Sequence, residues 1–166
     1  MADVVRSVAL NLRMTKRLAR RRATLAERIG PLDERLVFVI GSPRSGTTFL
    51  AGAVGAVPGF VDLGEVAPVK AAIPELVGLP AGEAARRLRR ILSLTRRAAL
   101  VGAVRAVEQT PEMAHLADVA ALAFPEARFV HIVRDGRDVV CSLLERGWLG
   151  GVRAGGADDA GLAYGH

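Results

Sequence analysis

The chain is short of cysteine, of lysine and of long apolar runs. Its one cysteine, Cys141, excludes an intramolecular disulfide framework and any metal site built from several cysteines. A reducing, cytoplasmic setting is the expectation that follows. No uninterrupted apolar run approaches the ~20 residues of a membrane span, and the first residues lack the apolar core of a signal peptide. Lysine occurs only at Lys16 and Lys70, so the net charge of +6 is carried by arginine. No internal repeat is present.

What is there fits one domain: 166 residues, of which 51% are hydrophobic, enough to build a core. The positive balance favours anionic ligands or surfaces. Residues 1–30 read as a basic helix carrying Arg6, Arg13, Lys16, Arg17, Arg20, Arg21, Arg22 and Arg28, with Val4, Val5, Val8, Leu12, Leu18 and Leu25 interleaved. Such a helix packs its apolar stripe on its own domain or lies against an anionic membrane surface or nucleic acid. Residues 31–166 read as an α/β domain.

The organising stretch is Leu36 to Val57, an apolar strand breaking into G-S-P-R-S-G-T-T and then a helix of small residues. Gly41 and Gly46 have the spacing of a phosphate loop, but Thr47 stands at the lysine position and the cation is Arg44, inside the loop. Backbone N–H groups and a helix N-terminus attract an anion with or without that lysine. Its absence weakens a kinase or NTPase reading, whereas Arg44 can clamp a phosphate or sulfate oxygen.

Further strands are expected at Phe60 to Leu63, Ala106 to Gln109 and Arg128 to Val133. Helices are expected over Phe49 to Val57, over Ala81 to Val107 as one or two pieces, over Glu112 to Phe124 with Thr110 as cap, and from Gly136 with Asp135 as cap. The last carries Val139, Val140, Leu143 and Leu144 inward. Pro68, Pro74 and Pro80 mark a loop-rich stretch, and Arg86, Arg87, Arg89, Arg90, Arg96 and Arg97 read as a solvated face. Residues 150–165 show no periodicity. The order gives a parallel sheet flanked by helices.

S-P-R-S-G-T-T-F-L resembles the 5′-phosphosulfate loop of sulfotransferases that use 3′-phosphoadenosine 5′-phosphosulfate (PAPS). A second block agrees: strand Arg128 to Val133 ends in Arg134, and Ser142 follows eight residues later. The resemblance implies that Arg44, Ser45, Gly46, Thr47 and Thr48 bind the 5′-phosphosulfate, that Arg134 and Ser142 hold the 3′-phosphate, and that no metal is required. It also implies an activity, sulfuryl transfer to a hydroxyl or amine acceptor of unknown class, with nucleic acid not expected as partner. Glu65 resembles the glutamate of the G-E in tyrosylprotein sulfotransferases and is the candidate general base, with Arg44 assisting catalysis; His115 and His131 are competitors. V-E-Q-T-P at Val107 to Pro111 is similar to the family's E-K-T-P but has Gln109 for lysine. Members of the family run past the second block, so the resemblance implies the N-terminal portion of a longer enzyme, incomplete at its C-terminal end. The alternatives are an inactive adenosine-bisphosphate or polyanion-binding module, and a P-loop kinase or NTPase with Asp135 as magnesium ligand.

Overall fold

The computed structural model describes residues 30–145. The basic N-terminal segment, residues 1–29, and the glycine-rich segment, residues 150–165, lie outside them. Four strands alternate with helices: β1 (Val37–Ile40), α1 (Thr47–Gly55), β2 (Phe60–Gly64), α2 (Ala67–Val77), α3 (Ala81–Ala98), β3 (Arg105–Glu108), a 3₁₀ turn (Pro111–Leu116), α4 (Ala117–Ala123), β4 (Arg128–His131) and α5 (Gly136–Glu145). All pairings are parallel, and the sheet order is β2-β3-β1-β4. The expected α/β architecture with a helix-flanked parallel sheet is what forms.

Alternation along β1 sorts the two faces, because successive strand side chains point to opposite sides. Leu36 and Phe38 join a large core with Val61, Leu63 and residues of α2, α3 and α4. Val39 joins a small one with Ala51 of α1 and Val107. The small residues of α1 allow close approach: a Cβ added at Gly55 would lie 2.5 Å from the Cβ of Asp62 on β2. Phe38 stacks on Phe129 of β4 with ring centroids 5.3 Å apart. Each fully buried leucine, such as Leu88 and Leu92 of α3, contributes about 1.5–3 kcal/mol.

Four expectations need correction. The stretch around Pro68 and Pro74 is not loop-rich but folds as α2. Pro68 sits in its first turn, where backbone N–H groups have no helical partner, and Pro74 forfeits one bond while Val69, Ile73 and Leu76 are buried. The helix expected from Glu112 begins as the 3₁₀ turn, and Thr110 makes no side-chain cap bond. Its hydroxyl donates instead to the buried carboxylate of Glu108, a stronger acceptor than water for a group without solvent access.

Arg96 is not solvated. It is fully buried on the inner face of α3, donating from one guanidinium nitrogen to the carbonyls of Gly102 at 2.9 Å and Val104 at 2.8 Å. Burial pulls its pKa down to about 10, partly offset by Asp33 and Glu34. On α5, Val139 and Leu143 are buried as expected, but Val140 and Leu144 are exposed. β4 is an edge strand, so among the described residues no further layer covers that stripe. No helix of the described residues is long and apolar enough to cross a membrane.

Candidate functional site

In a parallel sheet every strand delivers its C-terminal end to one edge, and the order β2-β3-β1-β4 makes the exit of β1 the point where successive connections part to opposite sides. The loop at residues 41–46 stands there. Its backbone departs from the ordinary regions twice, at Arg44 with φ 70° and at Gly46 with φ 101°. Glycine takes such a φ without strain, whereas a left-handed arginine costs about 1–3 kcal/mol and persists only when its surroundings hold it.

Those surroundings come from the second motif block. Arg134, just past β4, donates to the carbonyl oxygen of Arg44 at 3.0 Å. The Nε of Arg44 donates to the hydroxyl of Ser142 on α5 at 3.0 Å. Residues read separately from two distant segments, Arg44, Arg134 and Ser142, are thus in direct contact. Gly41 is part of the same junction: a Cβ there would lie 2.6 Å from the carbonyl oxygen of Ile132. Arg134 also faces Asp138 at 3.7 Å.

Ser45 and Thr47 are buried and Thr48 is exposed. Gly46 is the N-cap of α1, and no side chain caps the helix there. The first-turn N–H groups of α1 are therefore without a side-chain acceptor, as suits an anion at the helix terminus. The uncapped N-terminus, the left-handed loop and the two arginines beside it make a setting suited to an anionic ligand.

Glu65 follows β2 directly and reaches the same edge. It accepts from Lys70 of α2 at 2.8 Å, and Lys70 also faces Glu112 at 3.6 Å. Burial pushes the Glu112 carboxyl up, with Lys70 among the groups opposing the shift. The segment is joined to the loop through the exit of β3. Gln109 N–H donates to the carbonyl of Gly64 at 3.4 Å, and Thr48 Oγ1 donates to Gln109 Oε1 at 3.4 Å. Val66 N–H donates to Thr110 Oγ1 at 3.3 Å. The competing histidines stand apart from this network: His115 is exposed on the 3₁₀ turn and His131 is exposed at the end of β4.

Glu108 is the site residue that sequence reasoning missed. It is wholly buried at the end of β3, with one oxygen accepting from the N–H and hydroxyl of Thr110 and the other, Oε2, unpartnered. Desolvation pushes its pKa up to about 7 against the pull of the Thr110 bonds. Lys70 and Glu112 were also missed; a cation and two carboxylates bracketing a strand exit were the available signal, but only the fold shows that they meet.

Asp135 is placed as a cap. Its Oδ1 accepts from the N–H of Arg137 at 2.9 Å, and its other oxygen from the Arg137 guanidinium at 2.7 Å. Those bonds hold its carboxyl below the usual range. Both oxygens are thus taken by one arginine. No group of three or more His, Cys, Asp or Glu side chains among the described residues is placed to hold a metal ion. Comparison of the chain with protein-family models, with curated proteins and with solved structures gives no match.

Proposed function

We propose that the chain binds PAPS at the exit of β1 and transfers its sulfuryl group to a hydroxyl or amine acceptor. The observation that carries this reading is the convergence of Arg44, Arg134 and Ser142 beside an uncapped helix N-terminus. Two arginines and a hydroxyl there suit a ligand with more than one anionic group, because each guanidinium offers several N–H donors in a fixed fork.

In this reading the loop residues Arg44, Ser45, Gly46, Thr47 and Thr48 bind the phosphosulfate through N–H groups, hydroxyls and the Arg44 fork. Arg134 and Ser142 hold the 3′-phosphate. Bound there, the donor supplies a sulfuryl group whose S–O bond to phosphate breaks as the bond from acceptor oxygen or nitrogen to sulfur forms. Glu65 takes the proton that the acceptor loses, and Lys70 holds the carboxylate until then. Arg44 is fixed before the ligand arrives, so its charge needs little reorganisation during transfer.

A second reading, binding of adenosine bisphosphates without turnover, is favoured by the engagement of Glu65 with Lys70 and by the neutral side chain at Gln109. The kinase reading gains nothing from Asp135, whose carboxylate is bound by Arg137. Calorimetric titration with PAPS, adenosine 3′,5′-bisphosphate and ATP–magnesium tests the proposal. The two 3′-phosphorylated nucleotides are expected to bind more tightly than ATP–magnesium; the reverse order sinks it. Release of adenosine 3′,5′-bisphosphate from PAPS in the presence of an acceptor separates transfer from binding alone.

A further inference from the structure

A serine hydroxyl has one proton and two lone pairs, and in Ser142 the partner on one lone pair is known: the Nε–H of Arg44, at 3.0 Å. Arg44 therefore uses Ser142 as an acceptor, which turns the hydroxyl proton away from the guanidinium. It also draws electron density from the oxygen, so that the remaining O–H is a stronger donor in a chain of hydrogen bonds. The arrangement is held from behind. Arg134 grips the Arg44 carbonyl at 3.0 Å, and the left-handed backbone at Arg44 aims the side chain from the loop toward α5. Ser142 itself is half-buried, so part of its surface stays open to solvent.

We infer that Arg44 is the positioning residue for Ser142, so that a loop residue sets how well the serine on α5 recognises a phosphomonoester at the nucleotide's 3′ end. This rests on the donor-binding reading above and deepens it: the 5′ and 3′ ends of the nucleotide are recognised as one linked unit, and Arg44 contributes to 3′ specificity beyond its own charge. Its NH1 and NH2 groups stay available for the 5′ side, because only Nε is committed to Ser142.

The two roles of Arg44 separate in Arg44→Lys, which keeps the positive charge but has no N–H at the Nε position. The experiment is a double-mutant cycle on the whole chain, with dissociation constants for adenosine 3′,5′-bisphosphate and adenosine 5′-monophosphate measured by calorimetry. In the wild type, Ser142→Ala is expected to weaken the bisphosphate about tenfold and the monophosphate hardly at all. In the Arg44→Lys background the same change is expected to cost less than about twofold, the factor already having been lost. Ser142→Thr, which keeps the hydroxyl, should restore most of the wild-type preference and guards against a helix merely disturbed by substitution.

Equal loss from Ser142→Ala in both backgrounds would mean that the serine acts alone, and would overturn the inference. So would an Arg44→Lys variant that keeps the full preference for the bisphosphate. A wild type with no preference for the 3′-phosphate removes the donor-binding reading itself, and the inference falls with it.

Discussion

Arg134 and Arg44 are joined by a hydrogen bond in which a side chain holds a backbone: the Arg134 guanidinium donates to the Arg44 carbonyl at 3.0 Å. A residue expected only at the nucleotide's 3′ end therefore also braces the loop. Arg134→Ala should weaken adenosine 5′-monophosphate slightly, through the loosened loop, and adenosine 3′,5′-bisphosphate by a further ~1.5–3 kcal/mol, the worth of a charged hydrogen bond. Titration of both nucleotides gives the two losses. Equal loss for both would assign Arg134 to the loop alone.

Arg44→Ala removes the guanidinium from the loop and should weaken PAPS and adenosine 3′,5′-bisphosphate together by roughly 1.5–3 kcal/mol. The left-handed φ of 70° gives a control. Arg44→Gly removes the same charge but relieves the backbone, so it should lose the same affinity while melting at a higher temperature than Arg44→Ala. Unchanged affinity in either folded variant would exclude the loop as the anion site.

Much of this arrangement was legible locally. The run V-F-V-I before a Gly/Pro/Ser turn specifies β1 and its loop, and R-F-V-H followed by Asp135 specifies β4 and the cap on α5, because each rests on the chemistry of neighbouring residues. What failed to show depended on distant partners. Arg96 reads as one arginine among six until the backbone of Gly102 and Val104 folds over it. Glu108 sits in a strand end that any polar residue could occupy, and its burial is created by β2 and the segment after it. Val140 and Leu144 fit an inward pattern, yet the position of β4 at the sheet edge leaves them exposed. Proline at 74 reads as a breaker, since sequence alone does not weigh one lost helix bond against three buried side chains.

The buried Glu108 makes stability depend on pH in a defined window. Its carboxyl titrates near 4.5 when unfolded and about 7 when folded. Between these values this carboxyl holds more protons in the folded chain than in the unfolded one, so its contribution to stability is greatest below pH 4.5 and is lost as pH rises to 7. The fall due to this group is about 3 kcal/mol, from ~1.4 kcal/mol per pH unit. Glu108→Gln keeps an oxygen for Thr110 and carries no charge. Its denaturant midpoint should be higher than that of the wild type at pH 7.5 and should lose this contribution to the slope. A wild-type slope that persists unchanged in the variant would place the titration elsewhere.

Arg96 should act on folding without acting on the site, since it lies at the opposite end of the sheet and bonds the segment before β3. Arg96→Leu removes the bonds to the Gly102 and Val104 carbonyls, of which Gly102 keeps the Asp33 N–H at 2.8 Å, and should cost about 2 kcal/mol, read from the denaturant midpoint. Nucleotide affinity of the folded fraction should be unchanged. A stability gain would show instead that the two unpartnered nitrogens of Arg96 cost more than its bonds contribute.

Gly41 sits where a Cβ would press on the Ile132 carbonyl oxygen at 2.6 Å and on Ile132 Cγ2 at 2.8 Å. The chain thus leaves β1 and β4 through one shared gap. The two motif segments cannot drift or be transplanted separately, because a side chain at position 41 would lever the exit of β4 outward and carry Arg134 away from the Arg44 carbonyl. In an alanine scan scored by nucleotide capture, position 41 would register as a contact residue without touching any ligand, and only a backbone-level measurement would reveal it as a spacer.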